Sequence, residues 1–212
     1  IAAKAEEGTV LWSWHIWSTD KPADHSYFNH NMKNFIVMDR NIGAIRADRG
    51  TGEEWRESAG LFYQWGRKDP FSPNRYNYIY YRTSLKESIS HPNTMVVVEG
   101  GNWCSNSINS NWNEEQKTIY DPCPLGYRIS PSDTWSAFSK TGQYTDQLTQ
   151  FNVSGSWDYG FNFIYDGTKT AWFPQTYIGY YGETQTGVGE YWLPSSDDNS
   201  GRKFGYNTIG VQ

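Results

Sequence analysis

Aromatic rings, rather than aliphatic side chains, must supply most of the core of this chain. Its 212 residues include 11 Trp, 16 Tyr and 10 Phe, whereas hydrophobic residues of all kinds reach only 37%. A buried ring removes a large apolar area from water, and Tyr and Trp carry a polar group as well. The rings outnumber what one core readily hides. We therefore expect some Tyr and Trp side chains to be exposed, where such residues favour binding surfaces.

Length and charge limit the classes of protein that this chain can represent. The length suits one substantial domain, or at most two small ones. We assign residues 1–9 to a linker from an upstream domain and residues 10–212 to a single domain. A mean hydropathy of -0.77 predicts no membrane span. A net charge of -5 argues against nucleic acid as a partner.

Hydrophobic periodicity predicts short strands and two helices. Residues 53–67 and 130–140 have apolar side chains at helical spacing, and each run begins near a capping residue. Residues 20–34 and 72–93 lack clear periodicity and are interpreted as loops. Alternating or aromatic runs predict strands at residues 10–17, 35–38, 94–99, 127–129, 160–165, 171–173, 177–181, 189–193 and 203–211.

One stretch, residues 120–135, combines a loop, a short strand and a helix in immediate succession. Pro122, Pro124 and Gly126 exclude regular structure before the strand. A serine can then cap the helix, and Trp135 and Phe138 lie three apart, so that one helical face is anchored inward.

This stretch resembles the signature of the Fibrobacter succinogenes major paralogous domain family, which is abundant in surface proteins of Bacteroidetes. Four further segments agree with the family in the same order, at residues 12–17, 38–44, 60–71 and 191–196. The resemblance implies a C-type-lectin-like α+β fold with two helices, short antiparallel strands and long loops. It also implies an extracellular location, at the cell surface or outer membrane of a Gram-negative bacterium.

Five tryptophans are expected in the core of such a fold: Trp12, Trp14, Trp65, Trp135 and Trp192. We expect Trp12 and Trp14 to pack on the C-terminal strands.

The two cysteines, Cys104 and Cys123, are interpreted through the same resemblance. In a family exported from the cell, a disulfide is the first hypothesis, and it would stabilise the fold by roughly 3 kcal/mol. The alternative is a pair of buried free thiols. The chain has no CxxC motif and no clustered histidines, so we predict no metal site.

The sequence gives little support for an enzyme. Residues 128–135 resemble a stretch of the formylglycine-generating oxidases, but no cysteine follows Cys123 to supply their thiol chemistry. No nucleophile elbow of the form G-x-S-x-G occurs. His15, in a Trp-rich strand, is interpreted as structural. We predict no catalytic residues and no cofactor.

A calcium site in residues 195–201 is the weaker interpretation of that run. Its oxygen-bearing side chains suit Ca²⁺, but it lacks the spacing of an EF-hand. It also lacks the motifs of the calcium-dependent sugar-binding lectins. A solvated loop rich in Asp and Asn is favoured.

The C-terminal third is the predicted ligand-binding face. Its aromatic residues are mixed with Asn, Ser, Asp and Gly, a composition typical of rigid anchors with adaptable polar neighbours. The residues assigned to this face are Tyr177, Tyr180, Tyr181, Tyr191, Asn199 and Tyr206. The alternative is a set of tyrosines on short edge strands.

Three functions follow from these observations. The leading hypothesis is a non-catalytic cell-surface or fimbria-associated adhesin that binds a glycan or a host surface protein. The second is a structural stalk or assembly module that contacts other domains of a pilus or surface protein. The third, a polysaccharide hydrolase, needs converging carboxylates about 5–9 Å apart.

Overall fold

Small antiparallel sheets dominate the fold. The computed structural model describes residues 1–72, 77–99, 102–176, 178–180, 183–185, 187–197 and 200–208, with the backbone alone for 178–180, 183–185, 197 and 200. The strands are β1 (Ala2–Lys4), β2 (Val10–Ser13), β3 (Asp24–Phe28), β4 (Asn34–Met38), β5 (Phe62–Tyr63), β6 (Pro70–Phe71), β7 (Asn77–Ile79), β8 (Thr94–Val96), β9 (Val153–Ser154), β10 (Gly160–Asp166), β11 (Lys169–Pro174), β12 (Ile178–Tyr180), β13 (Glu183–Gln185), β14 (Val188–Asp197) and β15 (Ser200–Asn207).

Most of these strands pair only with a neighbour in the chain. The pairs β1–β2, β3–β4, β5–β6, β12–β13 and β14–β15 are antiparallel, and β10 lies between β9 and β11 in a three-stranded sheet. The pair β7–β8 is parallel. The secondary structure agrees with the expected α+β class, although strands predominate. The alternating runs at 35–38 and 160–165 are confirmed as strands.

Helices are few and short in the described part of the chain. One α-helix, α1 (Leu85–Ser90), is capped by the Ser84 side chain, which accepts a hydrogen bond from Glu87 N–H. Three short 3-10 helices span Gly52–Glu57, Ser132–Phe138 and Leu148–Gln150. Among the described residues, no helix has the length and apolar character needed to cross a membrane.

Both predicted helices are shorter than expected, and both are 3-10 rather than α. The first ends at Glu57 because the chain turns at Gly60, which has φ 73, and Leu61 N–H then donates to Ile42 O at 2.9 Å. The positive φ is a conformation that glycine adopts without strain. The predicted strand at 127–129 is wrong as well, because Ile129 N–H donates to the Asp121 carboxylate instead of a neighbouring strand.

The predicted loops at 20–34 and 72–93 also contain regular structure. The first contains β3, and the second contains β7 and α1. The strands β3 and β7 pair with β4 and β8, which were predicted as strands, but their own residues lack the clear periodicity that would have marked them.

Two aromatic clusters form the core. The first, which we call the sheet cluster, consists of Tyr27, Phe138, Phe151, Phe161, Phe163, Leu193, Phe204 and Tyr206. The second, the loop cluster, consists of Trp65, Val96, Trp103, Cys104, Ile108 and Trp112. The expectation of a core built from rings is confirmed. Trp65 is 4% exposed, Trp135 packs beside the sheet cluster, and Trp192 packs beside the loop cluster.

The N-terminal tryptophans do not pack as expected. Strand β2 pairs with β1, and Trp14 is 51% exposed, so its assignment to the core is wrong. Trp12 is half-buried against Tyr120, with ring centroids 5.9 Å apart, and the Lys68 ammonium lies 4.5 Å from its ring centroid. The described ring contacts of Trp12 are therefore with Tyr120 and Lys68 rather than with a C-terminal strand.

The expected disulfide is not present, because Cys104 and Cys123 are both free thiols. Cys104 is buried in the loop cluster, where its backbone bridges to Thr83. Cys123 follows Asp121, whose carboxylate accepts a hydrogen bond from Cys123 N–H. Burial raises the pKa of both thiols. The alternative of two free thiols fits this arrangement, with Cys104 buried and Cys123 partly buried.

Replacing Trp65 with Ala should lower the free energy of unfolding by roughly 3–5 kcal/mol, because the change empties a buried ring site and removes a hydrogen bond to Leu193 O. Trp14→Ala is the matched control. Because Trp14 is exposed, this change should alter the free energy of unfolding by no more than about 0.5 kcal/mol. Urea denaturation measures both, and equal effects would contradict this assignment of the core.

Candidate binding cleft

A cleft of about 840 Å³ separates the two aromatic clusters. Its walls include members of the loop cluster, such as Trp65 and Trp103, and residues that pack on the sheet cluster, such as Trp135 and Phe173. The longest lining segments are residues 33–42, 59–65, 95–98, 126–131 and 190–192. This volume lies within the range of small-ligand sites in proteins.

One wall of the cleft is the unpaired edge of β4. All residues from 33 to 42 line it without interruption, which indicates contact along the backbone edge rather than with one face of the strand. Just beyond the two ends of β4, Lys33 O accepts a hydrogen bond from Asn29 N–H, and Asp39 N–H donates to Ala23 O, at 2.9 Å each. Both bonds lie on the β3 side of the strand. Because hydrogen-bonded pairs alternate in an antiparallel ladder, the main-chain groups of Asn34, Ile36 and Met38 point away from β3.

By contrast, the edge of β8 that faces the cleft is closed by side chains. Gln64 donates to Val96 O at 2.8 Å and accepts from Val96 N–H at 3.1 Å, so that its amide takes the place of a neighbouring strand. Arg67 donates to Thr94 O at 2.7 Å. The guanidinium of Arg67 is itself buried, and desolvation lowers its pKa to about 10.

The outer edge of β14 is also partly occupied near the cleft. Thr176 N–H donates to Val188 O at 2.9 Å, and Glu190 N–H donates to the Thr176 hydroxyl at 3.0 Å. The edge of β4 differs from those of β8 and β14, because the main-chain groups of Asn34, Ile36 and Met38 have no described hydrogen-bond partner.

Three buried polar atoms on cleft-lining residues have no hydrogen-bond partner within the described part of the chain. They are the Tyr63 hydroxyl, the Thr134 hydroxyl and the Trp135 indole N–H. Burial raises the pKa of the Tyr63 hydroxyl, so this group stays a neutral donor. A buried polar group without a partner costs about 1–3 kcal/mol, which a bound ligand that accepts or donates there would relieve.

The charges along the cleft are mostly neutralised by ion pairs. Arg40 Nε lies 2.8 Å from Asp39 Oδ1, and Lys203 Nζ lies 2.5 Å from Glu190 Oε1. Arg128 is the exception. Its exposed guanidinium donates to a backbone carbonyl, Glu114 O, and no carboxylate of the described residues pairs with it.

The structure corrects part of the predicted C-terminal face. Tyr206 is 2% exposed and donates to Pro174 O at 2.7 Å. Tyr191 packs on the sheet cluster, its hydroxyl accepts from Asn41, and burial raises its pKa to about 12. Both rings therefore belong to the core side of the fold, and the assignment of Tyr206 to an exposed face is wrong.

The remaining residues of that face are not placed by the structure. Tyr177, Tyr181 and Asn199 lie outside the described residues, and Tyr180 is described only as part of the β12 backbone. The calcium hypothesis concerned residues 195–201 as a loop. The structure places residues 195–197 of this run in β14 instead. No group of three His, Cys, Asp or Glu side chains suited to a metal ion occurs within the described ranges.

Sequence reasoning missed the cleft itself. Nothing in the sequence marks Thr134 or Tyr63 as a binding residue, because a polar side chain without a hydrogen-bond partner is recognised only from its surroundings in the fold. The open edge of β4 depends on which strands fail to pair, and this is a property of the whole fold.

No protein-family model matches the chain, and no curated protein and no solved structure matches it either. The resemblance to the Fibrobacter domain family therefore stays a prediction from the sequence.

Replacing Gln64 with Ala should lower the free energy of unfolding by about 1–3 kcal/mol, because it leaves both main-chain groups of Val96 unpaired. Gln64→Glu keeps the acceptor for Val96 N–H, but it turns a buried carboxylate oxygen towards Val96 O, so it should destabilise the fold as well. Urea denaturation of both variants tests this closure of the β8 edge. A loss below about 0.5 kcal/mol in Gln64→Ala would contradict it.

Proposed function

We propose that this chain is a non-catalytic binding module of the cell surface or of fimbriae, and that its ligand occupies the cleft between the two aromatic clusters. The observation that carries the proposal is the set of unpartnered buried groups on Tyr63, Thr134 and Trp135. Proteins rarely leave such groups without a partner, and ligand sites are a common place for the exceptions.

The composition of the walls supports binding. Trp135 stacks on Phe204, with centroids 4.5 Å apart and planes inclined by 10°, so its ring is held in place before a ligand arrives. A side chain ordered in advance loses little entropy on binding. The tyrosine and tryptophan faces in such a wall suit either a sugar ring or a protein side chain.

The carboxylates that line the described cleft support a non-catalytic role. Asp39 and Glu190 are each held in a short ion pair, with Arg40 and Lys203 respectively. A carboxylate held in a short ion pair is suited to fixing structure, whereas a glycosidase needs a carboxyl group that can donate a proton to the leaving group. The hydrolase hypothesis is therefore the least supported of the three.

The resemblance to the Fibrobacter domain family supports the location and the ligand class. It implies a C-type-lectin-like domain, outside the cell, that presents a binding surface to a glycan or a host surface protein. The proposed site differs from the C-terminal tyrosine face, because Tyr206 is turned into the core, but Tyr191 of that face does line the cleft.

A second candidate function, the stalk or assembly module, has a different observation in its favour. Three large apolar side chains near β2 are exposed, namely Leu11 at 58%, Trp14 at 51% and Ile16 at 61%. Apolar patches of this kind mark protein interfaces, and a neighbouring domain of the same surface protein would cover this one.

A screen against a glycan array and a panel of extracellular host proteins tests the proposed function. Trp135→Phe removes the unpartnered N–H and keeps an aromatic ring, so ligand affinity should fall by about tenfold while stability is retained. Trp14→Phe is the matched control outside the cleft and should leave affinity unchanged.

Two results would contradict the cleft as the binding site. The first is binding that is lost in Trp14→Phe but not in Trp135→Phe, which would favour the assembly module. The second is the absence of any ligand in the screen together with stable association through the β1–β2 hairpin.

A further inference from the structure

We infer that the occupant of the cleft is an extended peptide segment, which adds to the free edge of β4 as a further strand. The inference rests on the proposed function of the cleft and names its ligand class. The main-chain groups of Asn34, Ile36 and Met38 form a row of donors and acceptors with the spacing of a strand. The backbone that matches such a row is that of another extended chain.

The reach of this edge sets the length of the segment. Five residues of β4 extend over about 17 Å at the rise of a strand, so the paired part of the ligand has about five residues. Alternate side chains of an added strand point to opposite faces of a sheet. One set would therefore enter the cleft, and the other would lie on the outer face beside Ile36.

Exposed strand edges are a liability that folded proteins normally cover. This chain covers the β8 edge with Gln64 and Arg67, and it closes the β14 edge with Thr176. The β4 edge has no such cover among the described residues, and Ile36 on it is 58% exposed. The contrast within one cleft indicates that the β4 edge is kept open for pairing.

The side chains of the ligand follow from the chemistry of the walls. The aromatic rings around the cleft favour apolar side chains, and the Thr134 hydroxyl and Trp135 N–H offer hydrogen bonds to a polar one. The exposed guanidinium of Arg128 has no described carboxylate partner. It would pair with a carboxylate of the ligand. We therefore expect an alternating apolar and polar segment that carries Asp or Glu.

Ion pairs leave Arg128 as the cation available to a ligand among the described lining residues. Lys33 pairs with Asp133, Arg40 pairs with Asp20 and Asp39, and Lys203 pairs with Glu190. The positive charge of Arg128 complements a carboxylate of the peptide.

Selection from a library of random heptapeptides displayed on phage tests the inference. Ile36→Pro removes one free N–H of the β4 edge without removing a bond to β3. Edge strands tolerate proline at such positions. Ser26→Pro is the matched control, because Ser26 is the partner of Ile36 in β3 and its N–H points to the opposite edge of the hairpin.

Peptides selected on the wild-type chain should alternate apolar and polar residues and be enriched in Asp and Glu. Their affinity should fall by about tenfold or more in Ile36→Pro and stay within about threefold in Ser26→Pro. Amide hydrogen exchange of Ile36 and Met38 in the wild-type chain should slow when a selected peptide is added. This second measurement does not depend on the folding of a proline variant.

Three outcomes would overturn the inference. Selected peptides that bind Ile36→Pro as well as wild type, with no protection of Ile36 and Met38, would exclude strand pairing. A glycan that binds in a Trp135-dependent way, with no peptide selected, would keep the proposed function and reject the peptide. Failure of both the peptide selection and the ligand screen would reject the two together.

Discussion

Indole N–H groups hold this fold together where β-ladders do not. Trp65 donates to Leu193 O at 2.9 Å, Trp103 donates to Trp65 O at 2.8 Å, and Trp192 donates to Tyr63 O at 2.6 Å. Each bond joins segments far apart in the chain, and the first and third fix β14 to the segment around β5. Most sheets have only two strands, so these bonds and the ring contacts around them supply the long-range order.

The cleft follows from the same constraint. Rings pack into two clusters because the sheets are too small to carry one continuous core, and the space between the clusters remains open. Trp135 is the exception among the indoles of this region, because its ring is stacked but its N–H has no described acceptor. Several indole groups of this fold donate to backbone carbonyls, whereas that of Trp135 has no described acceptor, and a ligand in the cleft would account for this difference.

Local sequence patterns predicted the parts of the fold that depend on neighbours in the chain. The strands at 35–38 and 160–165 alternate as a half-buried strand should, and they formed close to the predicted bounds. The helix at 53–67 was overestimated because apolar spacing does not register the turn at Gly60. Composition could not tell that Tyr206 faces inward, since a tyrosine ring suits a core and a surface equally. The cleft could not be predicted, because it depends on strands that fail to pair and on side chains such as Gln64 that close one edge and leave another open.

The most direct test of this account is hydrogen exchange at the tryptophan indole N–H groups of the free protein, measured by NMR on a sample labelled with ¹⁵N. The Trp65 and Trp103 N–H groups donate to buried carbonyls and should exchange slowly. The Trp135 N–H should exchange faster, because it has no described acceptor and belongs to a residue that lines the cleft. Protection of Trp135 equal to that of Trp65 would show that its N–H is already satisfied inside the fold, and it would contradict the cleft as a site that awaits a ligand.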